Sequence, residues 1–429
     1  MIRSLAFMFA LVGPGAATQD EVRTIMVREV HANPDSRVIP IRYLILRAIG
    51  NPTAPPLVVV NGGPGVAGTE DIRRFRDDSA LRMSRDIILF DQRGTGGSNR
   101  LSCDVAGPIA RVRDALFPVD YIQRCRDSIS RMADIAAYTT AESVHDIESI
   151  RADLGSPLID LFGISYGTRL AQSYTTAYPS RVRRVSLDGV VPVNIIVSAE
   201  AATHIENAIA KSISDCENVS ECRAAYPGLR AAWREAHTRF PVGSSERWRL
   251  AYALRGSLYT GAARIPALIV SAVAGNFSEV DSTYARRAAF VGNATGTALH
   301  LTVNCSEDIP NVPPAEAARL GAGTLMADMY HSQYRSACAV WSVPRVPVTR
   351  AGSYPRAIQA LLLTGEYDPV TPADYANRTA ATFTVSRHVI FSRTGHAPPS
   401  KCKSGILAAF HDGADVRTID AACASLPPR

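Results

Sequence analysis

The sequence predicts an α/β protein: a mostly parallel sheet covered by helices on both faces, with an inserted, mainly helical cap. Three observations carry this. Short apolar runs, Pro56-Leu57-Val58-Val59-Val60 and Asp86-Ile87-Ile88-Leu89-Phe90, read as strands buried on both faces. Such runs alternate with segments whose apolar residues recur at helical spacing. From about 195 to 345 the alternation stops, and the chain turns Ala-rich and helical.

Taken in order, residues 1–17 read as a secretory signal. Arg3 supplies the positive start, Leu5 to Val12 the apolar run, and Gly15-Ala16-Ala17 the small-residue cleavage site. Residues 22–47 alternate apolar and polar on either side of Ala32-Asn33-Pro34-Asp35-Ser36, which is turn chemistry, so a β-hairpin is expected. Val144, Ile147, Ile150 and Leu154 share a helix face within 141–154. A strand at 158–162, a helix at 166–177 and a strand at 182–187 follow. The last part repeats the pattern: strand 359–364, helix near 372–383, strand 387–391 and helix near 400–411. The implied organisation is a signal peptide at 1–17, a core in two parts at 18–195 and 346–429, and a cap at 196–345.

The chain has 429 residues, 46% of them apolar and 20% charged, which excludes wholesale disorder, collagen and coiled coil. Its formal charge of +6 comes without a clustered basic stripe, so no nucleic-acid partner is expected. No apolar run reaches the ~20 residues that span a bilayer. Eight cysteines behind a signal sequence point to disulfides and a secreted or periplasmic location. The simplest connectivity joins neighbours: Cys103 to Cys125, Cys216 to Cys222, Cys305 to Cys338 and Cys402 to Cys423. No Cys-x-x-Cys or Cys-x-His cluster supports zinc, and no metal or cofactor is expected.

The chemistry centres on Gly163-Ile164-Ser165-Tyr166-Gly167, between an apolar strand and a helix. A nucleophile on so sharp a turn needs small neighbours on both sides, and Ser165 is the candidate. Asn61-Gly62-Gly63-Pro64-Gly65 follows the strand at 57–60. Its Gly63 N–H and the Tyr166 N–H are candidate donors to a developing oxyanion; Pro64 has no N–H to give. The acid should follow a late strand, and Asp368 is preferred over Glu366 and Asp188. His396, after the last strand and preceded by Gly395, is the candidate base; His388 lies within a strand. Asp91 and Arg93 are expected to pair and hold their loop beside the site.

NGGPG at 61–65, DQRGTGGSN at 91–99, GISYGTRLA at 163–171, LDGV at 187–190, GEYDPVTP at 365–372 and GHA at 395–397 occur in this order. Together they resemble the secreted tripeptidyl-aminopeptidase and proline-iminopeptidase group of the α/β-hydrolases. The likeness covers roughly 22–195 and 346–429. Within the cap it extends only to Asn304–Asp308 and Cys338–Trp341. Where many of that group carry His before the Gly-Gly-Pro-Gly loop, this chain has Asn61, which leaves the backbone donors unchanged. The resemblance implies an α/β-hydrolase fold and an aminopeptidase acting through a Ser-His-Asp triad. Such an enzyme must hold a substrate ammonium, and Glu307, Asp308 and Glu70 are the candidate carboxylates. An esterase, or another hydrolase of small acyl groups, is the rival within the same fold. A non-catalytic binding protein is the rival outside it. The partner is a peptide or small acyl substrate, and oligomeric state is left open.

Overall fold

The structure is a computed structural model describing residues 20–103, 116–294, 296–347 and 352–426. The expected signal segment lies outside the described residues.

Strands β1 (Glu21–Arg28) and β2 (Val38–Leu46) form the antiparallel hairpin, with Glu21 opposite Ile45 and Arg28 opposite Val38. Asn33 shapes its turn by accepting the Asp35 N–H at 3.0 Å. The strands that follow are β3 (Leu57–Val60), β4 (Ile87–Phe90), β5 (Ile159–Ile164), β6 (Val182–Asp188), β7 (Gln359–Gly365) and β8 (Val385–Phe391). They form one sheet in the order β1-β2-β4-β3-β5-β6-β7-β8. β2 alone runs against the other strands.

The apolar runs of β3 and β4 are explained by burial on both faces. Val58, Val60, Ile88 and Phe90 point into one core, and their neighbours Leu57, Val59, Ile87 and Leu89 into the other. The first core is covered by helices Thr140–Asp153 and Tyr166–Ala177. The second is covered by helix Lys401–His411, through Ile406, Leu407 and Phe410. β3 is the switch point: β4 lies on one side of it and β5 on the other, so the loops leaving β3 and β5 flank one crevice.

Between β6 and β7 the chain is helical, and it docks on the loops after β3, β4 and β8 through backbone bonds. Gly296 N–H donates to Gly65 at 2.7 Å, Ala298 N–H to Leu101 at 3.0 Å and His396 N–H to Tyr259 at 3.0 Å. Helix Thr297–Val303 runs into a π-helical turn at Asn304–Asp308. That turn is bonded to helix Met329–Trp341 by Cys305–Cys338, and the buried Trp341 indole donates to Thr302 Oγ1 at 3.0 Å.

All four neighbour pairs of cysteines are disulfides, with Cα atoms 5.1–5.9 Å apart. Among the described residues no cysteine is free, and no helix is long and apolar enough to cross a membrane. The Cys305–Cys338 bond closes a loop with a sequence separation of 33. Replacing both cysteines by alanine is expected to lower stability by about 3–4 kcal/mol, because the unfolded chain regains that loop's freedom. Urea denaturation measures this. An unchanged midpoint, with both thiols alkylated in the native wild type, would show that the bond does not form.

Candidate active site

Ser165 stands between the end of β5 and the start of helix Tyr166–Ala177, at φ 56° and ψ −125°. That left-handed conformation is strained for a residue with a Cβ, and its surroundings impose it. Ser165 N–H donates to Asp188 O at 2.9 Å, and Thr168 N–H to Ser165 O at 2.8 Å. The flanking glycines are a matter of space. A Cβ on Gly167 would stand 1.9 Å from Val60 O, and one on Gly163 2.6 Å from Gly167 O. Tyr166 opens the helix, so its N–H has no partner within it and points with the positive end of the helix dipole.

The loop after β3 lies against the serine. A Cβ on Gly62 would meet Ser165 Cβ at 2.8 Å, and Gly63 holds φ 111°. Gln92 Nε2 donates to Asn61 O at 2.9 Å, Asn61 Nδ2 donates to Ala67 O at 3.2 Å, and the His300 ring bonds Pro64 O at 2.9 Å. Asn61 thus braces the loop from within. Burial holds the His300 pKa below the ordinary range, so its ring stays neutral near pH 7.

His396 Nδ1 lies 2.8 Å from Asp368 Oδ2. The other Asp368 oxygen accepts the Val370 and Thr371 N–H groups, both at 2.8 Å, and Thr371 Oγ1 donates to Oδ2 at 2.7 Å. Burial pushes the Asp368 carboxyl up, but the His396 and Thr371 contacts outweigh it, and the group stands below its ordinary value. For His396 burial acts downward, and the Asp368 charge and hydrogen bond more than reverse it, leaving the imidazole above its ordinary value. The other acids are engaged elsewhere. Glu366 pairs with Lys211 at 2.9 Å and accepts the Arg393 N–H. Asp188 is held by buried Lys403 at 2.7 Å. His388, pushed down to about 4 by burial, bonds Thr364 and Asn377.

Ser165, Tyr166, Gly63, His396, Glu70 and Asp308 line one cleft of about 430 Å³. Glu70 is exposed at its rim. Asp308 is buried and pairs with Arg169 at 2.7 Å. Glu307 is not brought to this cleft. Its carboxylate accepts from Thr140 N–H at 2.7 Å and Thr140 Oγ1 at 2.5 Å, and it lines a separate cavity of about 280 Å³.

One expectation is overturned: Asp91 and Arg93 do not pair. Neighbours but one on this loop diverge. Arg93 makes a two-pronged bond with Asp146 at 2.7 and 2.8 Å and donates to Glu29 O and Ala137 O. Asp91 accepts from Thr69 N–H, Thr69 Oγ1 and Gly97 N–H. The structure also adds residues that the sequence reading passed over. Arg255, Tyr259 and Tyr330 line the same cleft, and the Tyr259 ring packs edge-on against His396, centroids 5.0 Å apart. Arg255 and Tyr259 are only an i, i+4 pair in an ordinary-looking helical stretch, so no local signal marks them. Among the described residues no group of three or more His, Cys, Asp or Glu is placed to hold a metal ion.

Residues 55–214 match the family model of the alpha/beta hydrolase fold, and residues 324–423 that of the TAP-like proteins. The chain is 30% identical over 141 residues to a proline iminopeptidase of Xylella fastidiosa, covering 33% of this chain and 34% of that protein. It is 29% identical over 210 residues to serine protease Hip1 of Mycobacterium tuberculosis, covering 44% of this chain and 40% of that one. It is 31% identical over 153 residues to a tripeptidyl aminopeptidase of Streptomyces lividans, covering 32% of this chain and 28% of that one. The matches thus span about a quarter to two-fifths of these relatives' own lengths. A solved proline iminopeptidase from Mycobacterium smegmatis is similar at a TM-score of 0.47 and 18% identity, over 92% of this chain and 99% of that one. With the sheet order on one side and these two family matches on the other, the chain has the α/β-hydrolase fold, and its residues 324–423 match the TAP-like proteins.

Proposed function

We propose that this chain is a secreted or periplasmic serine hydrolase that releases residues or short peptides from peptide N-termini. The observation that carries the proposal is the meeting of three distant segments. The strained Ser165 and His396, more than 200 residues apart in the chain, line one cleft, and Asp368 bonds the His396 imidazole from behind the cleft wall. The names of the similar proteins, peptidases among them, agree with it. The four disulfides accord with an oxidising compartment. We take 196–345 as the cap over a core made of 18–195 and 346–429.

In this reading Ser165 Oγ attacks the carbonyl while His396 takes its proton. Asp368 fixes the imidazole tautomer and stabilises its charged form. The Gly63 and Tyr166 N–H groups receive the oxyanion, and water then releases the acyl-enzyme. In this reading the Ser165–His396 contact tightens in the substrate complex. Of the three carboxylates considered for the substrate ammonium, Glu70 and Asp308 are in the cleft and Glu307 is behind it.

The test is a matched pair, a free-amine peptide and its N-acetylated form. The free amine should be cleaved about ten- to a hundredfold faster, the worth of one charge-assisted hydrogen bond. Equal rates would sink the aminopeptidase reading. Hydrolysis confined to p-nitrophenyl esters would leave a serine hydrolase with no peptidase role.

A further inference from the structure

We propose that the cleft over Ser165 contains a carboxylate subsite centred on Arg255, so that substrates carrying a carboxylate near the reacting carbonyl are preferred. The inference rests on the serine-hydrolase reading and specifies its substrate class.

Arg255 lies in the last turn of helix Ser245–Leu258, is 4% exposed and lines the cleft. Its acceptors set it apart. Among the described residues every other buried arginine donates to a carboxylate or a backbone carbonyl. Arg93 and Arg169, for example, hold Asp146 and Asp308, and Arg247 donates to Leu325 O and Thr324 O. Arg255 has only phenols, Tyr259 at 3.0 Å and Tyr330 at 3.3 Å, and its Nε has no partner. No described carboxylate stands within ion-pair distance of it. A buried guanidinium without a counter-charge is costly, and a cleft beside a nucleophile is where such a charge serves binding.

The surroundings hold the charge in place. The guanidinium carbon sits 4.7 Å from the Tyr330 ring centroid and 5.1 Å from that of Tyr259. On the same wall Arg287 lies 3.8 Å over the Tyr259 ring. Burial pushes the Tyr259 phenol up, yet the two guanidinium groups bring it down to about 8, a mark of how positive this wall is. One aromatic ring, Tyr259, separates Arg255 from the His396 imidazole. A carboxylate bound there therefore belongs to a group close to the scissile bond. Arg presents a planar fork of donors that suits it.

Two sources offer this carboxylate: an acidic side chain in the acyl part, or the free C-terminus of a short leaving peptide. Two matched pairs separate them. One compares glutamyl with glutaminyl nitroanilides, the other a tripeptide with a free against an amidated C-terminus. Wild-type kcat/KM should favour the carboxylate member of one pair by about ten- to a hundredfold. In Arg255→Met and Arg255→Gln that ratio should fall to within about twofold, and Arg255→Lys should keep part of it. Each ratio is taken within one protein, so a general loss of activity cancels. A readout independent of any variant is competitive inhibition of the wild type by glutarate and not by glutaramide. Equal wild-type rates within both pairs would overturn the inference, as would a preference that survives Arg255→Met and Arg255→Gln. The hydrolase reading fails differently: no substrate is cleaved and Ser165 takes up no fluorophosphonate, and the subsite falls with it.

Discussion

Alanine at position 165 is expected to remove about six orders of magnitude of turnover, on the scale seen when a triad serine is lost. The substitution isolates the oxygen. Ser165 already carries a Cβ at φ 56°, so alanine fits the same elbow, and Ser165 N–H keeps its bond to Asp188 O. Circular dichroism and the denaturation midpoint should therefore match wild type. What remains comes from the oxyanion donors and from binding. A variant that keeps more than about a thousandth of wild-type activity on both amide and ester substrates would show that Ser165 is not the nucleophile.

Asp368→Asn should cost about 10⁴ in kcat, because an amide beside Nδ1 leaves the imidazole in the wrong tautomer. Glu366→Gln should cost far less, since Glu366 faces Lys211 and the Arg393 N–H and makes no contact with the imidazole. A pH profile gives a second readout. His396 must be neutral to accept a proton, and its pKa stands above the ordinary 6.5. Wild-type kcat/KM should therefore fall as pH drops through a point above 6.5. With Asp368 replaced, the largest upward pull is gone while burial still acts downward, so the acid limb should move to lower pH. A larger loss in Glu366→Gln than in Asp368→Asn would reverse the assignment.

The parts of the site that could be read in the sequence are those fixed by local geometry. The elbow glycines are required because backbone stands within 3 Å of any Cβ placed there. Asp368 and His396 follow strands β7 and β8, and apolar strands are visible as runs. Pairing neighbouring cysteines matches the structure because every bond is short-range, with separations of 6 to 33. Long-range partners are another matter. Arg93 reaches Asp146 rather than its near neighbour Asp91, and only the packing of Thr140–Asp153 beside that loop decides so. Arg255 and Tyr259 carry no motif, and their meaning comes from the helix that sets them over His396. Gly62, which has no motif role of its own, leaves no room for a side chain, since a Cβ there would meet Ser165 Cβ at 2.8 Å.

The adjacency of β6 and β7 has a consequence for how the chain is made. About 170 residues separate Asp188 from Gln359, and the two strands nonetheless pair from Arg184 to Asp188. As the chain emerges from the ribosome, β6 exists long before its partner. Until β7 arrives, β6 is an open sheet edge with unpaired backbone groups, able to pair with another strand. In that interval the helices from Val197 to Trp341 are all the newly made chain has to shield it. A nascent chain halted before Gln359 would leave that edge unclosed, so the last 70 or so residues finish the sheet as well as supplying Asp368 and His396.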